Sequence, residues 1–141
     1  MIPTIEWKGK HIRMIDQRKL PGKVEWVVCR NDKDVIAAVR NMVIRGAPAI
    51  GVAAAMGLAL GSEAITANSY KAFEPRFREM AGRMVKARPP AVNLRWAVER
   101  MILLVEQMAG MDPEEIKIAL REESEKILSE ELRSAAREGL S

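Results

Sequence analysis

Two arginines stand just ahead of proline-bearing turns: Arg45 in "VIRGAPAIGVAAAMGLAL" (Val43 to Leu60) and Arg88 in "ARPPAVNLRWAVERM" (Ala87 to Met101). Each precedes a segment that reads as the start of a helix. A helix N-terminus presents unsatisfied N–H groups and a partial positive charge, so a guanidinium beside it makes a seat for a phosphate or a sugar hydroxyl. Gly46 would let the backbone come close to such a ligand. The pattern leaves a second reading open, in which Gly46-Ala47-Pro48 is only a tight corner and both arginines are surface caps.

Other chemistries have less to work with. His11 is the single histidine and falls in a candidate strand, and no serine or cysteine sits in an activation motif, so a nucleophilic triad is not expected. One His and one Cys cannot make a usual metal cluster, and none is expected. Cys29 closes an apolar strand and reads as a buried small hydrophobe, His11 as an exposed strand residue. The pairs Glu114-Glu115, Glu122-Glu123 and Glu130-Glu131 read as solvated helix faces.

The elements that must position the arginines follow from periodicity and punctuation. "TIEWKGKHIRMID" alternates Ile5 and Trp7, then Ile12 and Met14, about a Lys8-Gly9-Lys10 turn, and Pro21-Gly22 punctuates before Val24 to Cys29. A small antiparallel sheet is expected. Val35, Ile36, Val39, Met42 and Val43 then take helical spacing behind the cap candidates Asn31 and Asp32, predicting a helix that ends near Ile44 to Gly46. Pro48 suits the first turn of the next helix, whose glycines and alanines let neighbours approach closely. Phe73, Phe77, Met80, Ala81 and Met84 mark a third helix, which Pro75 would delay to its own first turn. Pro89-Pro90 opens a fourth, with Leu94, Ala97, Val98, Met101, Ile102, Val105 and Met108 facing inward. Asp112, Pro113 and Glu115 form a capping-box start for the last, with apolar positions Ile116, Ala119, Leu120, Ile127, Leu128 and Leu132 and a stop at Gly139. The expected fold class is α+β: a small antiparallel sheet followed by a helical bundle.

At 141 residues the chain suits one domain with a real core, and 48% hydrophobic with 30% charged residues excludes a disordered or low-complexity class. Its apolar run from Ala47 to Leu60 is shorter than the roughly 20 residues of a membrane span, so no membrane partner is expected. The lone cysteine and an N-terminus without a signal-peptide core point to the cytoplasm. Residues 1–111 hold 18 Lys and Arg against 10 Asp and Glu, whereas residues 112–141 hold 5 against 9. That basic front suits a phosphorylated ligand better than nucleic acid, because aromatics are only 4% and no basic run is interleaved with stacking residues.

"RGAPAIG" (Arg45 to Gly51), "ARPPAVNLRWAVERM" and the early "IEWKGKHIRMIDQRKLPGKVEW" (Ile5 to Trp26) together resemble the amino-terminal half of methylthioribose-1-phosphate isomerase, in order and over nearly the whole chain. The wider superfamily holds ribose-1,5-bisphosphate isomerase and the alpha, beta and delta regulatory subunits of a eukaryotic translation initiation exchange factor. The resemblance implies conversion of 5-methylthioribose 1-phosphate to 5-methylthioribulose 1-phosphate, a step of methionine salvage without metal or organic cofactor. It implies substrate contacts from Arg45, Gly46, Ala47 and Arg88. The family's catalytic cysteine and aspartate lie in a carboxy-terminal Rossmann-like half, so residues 1–141 are expected to be an amino-terminal domain with no catalytic residue of its own. Its implied partners are a phosphorylated pentose and that second half, in the same protein or in another chain, with homo-oligomers also possible. Pro90 departs from the family's usual threonine. A non-catalytic regulatory module built on the same pocket is the competing expectation.

Overall fold

The computed structural model describes residues 4–89 and 91–140, the last three of these by backbone alone. Among them, β1 (Ile5–Lys8), β2 (His11–Ile15) and β3 (Trp26–Cys29) form an antiparallel sheet in the order β1-β2-β3. Five helices follow: α1 (Asp32–Arg40), α2 (Ala47–Ser62), α3 (Tyr70–Val85), α4 (Val92–Gln107) and α5 (Pro113–Leu140). The α+β expectation holds.

The strand alternation does what period two requires. Ile5 pairs with Met14, Trp7 with Ile12, and Ile12 in turn with Cys29, which puts these side chains on one face against the helices. On the other face Arg13 bonds Glu6 and lies 3.9 Å over the Trp26 ring. Lys8 faces His11 across a two-residue turn, where Gly9 takes φ +60°, a conformation glycine adopts without a side-chain clash. A short 3-10 turn at Gln17–Lys19 carries the chain from β2 toward β3.

Helix α2 is the axis of the bundle and packs against all four other helices and β2. No residue from Ala47 to Ser62 is charged, and every one from Ile50 to Ser62 is buried, as a helix apolar on all sides must be. Its neighbours come as close as its glycines allow. A Cβ added at Gly57 would meet Val35 Cγ1 and Met84 Cε at 2.8 Å. The sheet is tied to the far end of the chain through Trp7, whose Nε1 donates to the buried Ser124 Oγ at 3.2 Å while Arg121 lies 4.1 Å over its ring.

Four expectations are corrected. Helix α1 stops at Arg40, because Val43 N–H bonds Ala38 O, Met42 N–H bonds Val39 O, and Met42 takes φ +66°. This is the reverse turn that commonly closes helices, here on a methionine, and it leaves Met42 exposed rather than inward. Helix α3 starts at Tyr70, since Ser69 Oγ caps Ala72 N–H and Phe73 needs the helix to reach the core, so exposed Pro75 rides inside it. Helix α5 runs through Gly139 to Leu140, and only its Asp112 cap forms, onto Glu114 N–H, without the reciprocal Glu115 bond. Two of the glutamates read as solvated grip Arg100: Glu123 at 2.7 Å and Glu130 through both oxygens at 2.9 and 3.0 Å. That fork, with smaller help from Glu123, holds the Arg100 guanidinium protonated, and Arg100 in turn lowers the Glu130 carboxyl.

Candidate functional site: an arginine cleft between two helix N-termini

The local sequence decides where the helices begin, and the packing of α2 on α4 brings two of those beginnings together. Among the described residues, α1, α3 and α5 each carry a side-chain cap, from Asn31, Ser69 and Asp112. Helices α2 and α4 do not: their N-cap residues are Gly46 and Ala91, and neither has a capping side chain. Their first-turn N–H groups are therefore left for other acceptors.

Both uncapped ends border one cleft of about 540 Å³, lined by Arg45, Ala47, Ile50, Arg88, Pro89, Ala91, Val92 and Asn93. Arg45 is exposed, and its Nη2 donates to the Gln17 carbonyl at 3.0 Å. Arg88 is half-buried, and its Nη1 is fully buried with no hydrogen-bond partner among the described residues. A buried guanidinium N–H without an acceptor is costly, by about 1–3 kcal/mol or more, which is reason to look for a ligand there. Of the residues named from sequence, Arg45, Ala47 and Arg88 line the cleft together. Gly46 does not line it but stands between two that do, and a Cβ there would meet nothing within 4 Å. With φ −57° and ψ 137°, Gly46 has neither a backbone need nor a packing need among the described residues to be glycine.

Sequence reading passed over Asn93, which sits on this wall at the start of α4; its signal was a carboxamide in the first turn of an otherwise uncapped helix. Pro90 lies outside the described residues, so its departure from threonine has no structural account.

Chemically the cleft offers fixed positive charge and N–H donors. Its described lining is two arginines, one asparagine and five apolar residues, with no carboxylate, imidazole or thiol among them. Cys29 does not line it and is fully buried, and burial, with Asp34 adding to it, pushes its thiol up to about 11. Among the described residues no cluster of His, Cys, Asp or Glu could hold a metal ion, and no helix is long and apolar enough to cross a membrane.

Comparison with known proteins agrees on one lineage. Residues 43–138 match the initiation factor 2 subunit family. The methylthioribose-1-phosphate isomerase of Geotalea daltonii is 43% identical over 129 residues, which cover 92% of this chain and 37% of the relative. That of Desulforamulus reducens is 35% identical over 136 residues, 96% of this chain and 39% of the relative. The crystal structure of 5-methylthioribose 1-phosphate isomerase from Pyrococcus horikoshii OT3 superposes with a TM-score of 0.86 at 38% identity, over 92% of this chain and 36% of that one. Translation initiation factor eIF-2B, subunit delta, from A. fulgidus gives 0.84 at 31% identity, over 94% and 38%. The chain thus spans well under half the length of these relatives.

Proposed function

Because this chain belongs to the initiation factor 2 subunit family, we propose that its arginine cleft grips a phosphorylated pentose as the amino-terminal part of a methylthioribose-1-phosphate isomerase. The observation that carries the reading is Arg88, which lines the same cleft as Arg45 between two helix ends without caps and whose buried Nη1 has no hydrogen-bond partner among the described residues. Phosphate oxygens are acceptors only, and they match a forked guanidinium and free backbone N–H groups. On this reading Arg45 and Arg88 hold the phosphate, while Gly46 and Ala47 let the ligand lie close to the start of α2.

Isomerising an aldose phosphate moves hydrogen between C1 and C2, which needs a positioned acid or base and a donor for developing negative charge. The cleft has donors but no such acid or base, so we assign the proton chemistry to a carboxy-terminal part, in the same protein or in a second chain. The test is to assay conversion of 5-methylthioribose 1-phosphate with residues 1–141 alone and with a supplied carboxy-terminal half. Turnover is expected only in the second case, and substantial turnover by residues 1–141 alone overturns the division of labour.

The likeness to the eIF-2B delta subunit favours a second reading, a regulatory module that senses a sugar phosphate or nucleotide with the same cleft. Binding of the sugar phosphate by the full-length protein without conversion would select it.

A further inference from the structure

Asn93 occupies the wall between two cavities. One is the arginine cleft; the other, of about 240 Å³, is bordered by Pro48, Gly51, Val52, Trp96 and Ile127 among its lining residues. Asn93 is half-buried, yet its carboxamide makes no hydrogen bond among the described residues. Its place is nonetheless set. A Cβ added at Gly51 would lie 3.0 Å from the main-chain carbonyl oxygen of Asn93 and 3.6 Å from Asn93 Cβ, so α2 passes this turn of α4 at a distance that glycine permits. The fold therefore holds Asn93 beside two arginines and leaves its amide unspent.

An arginine can only donate, whereas a carboxamide both donates and accepts, which is the complement of a hydroxyl group. Phosphate and sugar would thus be read by different groups on one wall. We propose that Asn93 is a specificity residue that hydrogen-bonds the hydroxyl on the sugar carbon next to the phosphate-bearing one. This rests on the sugar-phosphate reading of the cleft. Arg45 and Arg88 supply affinity for the phosphate, and Asn93 distinguishes a ribosyl from a deoxyribosyl ligand.

Titration calorimetry on the full-length protein tests this with three probes: inorganic phosphate, ribose 1-phosphate and 2-deoxyribose 1-phosphate. The wild-type protein is expected to prefer ribose 1-phosphate over the deoxy sugar by about tenfold, the effect of one well-made hydrogen bond. Asn93→Ala, and Asn93→Gln, which displaces the amide by one methylene, should bring the two sugars within about twofold and leave inorganic phosphate unchanged. The proposal is overturned if the wild type shows no preference, if both variants keep it, or if they weaken inorganic phosphate as much as ribose 1-phosphate, which marks a merely structural role. Arg88→Ala separates the parent reading. If it leaves inorganic phosphate binding intact while Asn93→Ala erases the sugar preference, the phosphate assignment fails and the hydroxyl contact stands.

Discussion

The Arg45 guanidinium donates to the main-chain carbonyl of Gln17, at 3.0 Å, so the 3-10 turn that follows β2 sets where the first arginine of the cleft stands. The tie runs both ways, because Gln17 N–H donates to the Val43 carbonyl at 2.8 Å. Arg88 has no such anchor among the described residues. The two arginines should therefore respond differently to substitution. Arg88→Ala is expected to weaken sugar-phosphate binding about ten- to a hundredfold, the worth of charge-assisted hydrogen bonds, with little loss of stability. Arg88→Lys should recover only part of that, because an ammonium lacks the planar fork. Calorimetric titration with the full-length protein checks both, with exposed Arg95→Ala as the neutral control.

Two glycines should give opposite signs when changed to alanine. In a helix the substitution gains about 0.5–1 kcal/mol from backbone entropy. At Gly82 a Cβ meets nothing within 4 Å, so Gly82→Ala should stabilise by about that amount. At Gly57 the new methyl would lie 2.8 Å from Val35 Cγ1 and 3.1 Å from Val35 Cβ, and a branched side chain on a packed helix cannot swing away. Overpacking of about 1–3 kcal/mol outweighs the gain, and Gly57→Ala should destabilise. Urea unfolding of the two variants reads the difference.

Acid stability should depend on Arg18. Its side chain, and with less weight its backbone N–H, donates to Asp16 and holds that carboxyl at about 2 against the opposing effect of burial. The folded value lies below the unfolded one of about 3.9. The contribution is thus present above that value and is lost as pH falls toward 2. Arg18→Ala should raise the pH at which the protein unfolds in acid, and the gap from wild type should close below about pH 2. Circular dichroism followed through an acid titration measures it.

Cys29 is the single thiol, fully buried and raised to about 11. A thiol-specific disulfide reagent at pH 7.5, about neutral for this purpose, should leave the native protein unlabelled and modify one group per chain once denaturant is added. Prompt labelling of the folded protein would contradict this burial.

Helix α4 shows how far short-range pattern reaches. Leu94, Ala97, Val98, Met101 and Val105 are buried as their spacing predicts, because a helix rotates each residue by a fixed amount and the core must take one face. The sheet was legible for the same reason. Where a local rule competed with packing, packing prevailed. Pro75 did not delay α3, since Phe73 and Phe77, both fully buried, hold its first turns onto the core. The glutamates of α5 also look alike in sequence, and only the crossing of α4 over α5 selects Glu123 and Glu130 as the partners of Arg100.

What the sequence determined by itself was therefore the three strands and five helices, most of their buried faces, and the placement of Arg45 directly before one helix and of Arg88 shortly before another. These depend on backbone geometry over a few residues. Only the tertiary structure decided that the uncapped ends of α2 and α4 open on one cleft, that Gln17 positions Arg45, that Arg88 Nη1 finds no acceptor among the described residues, and that Gly51 seats Asn93 beside them. Those relations join residues far apart in the chain. They arise from how closely whole helices can pack, which no local pattern encodes.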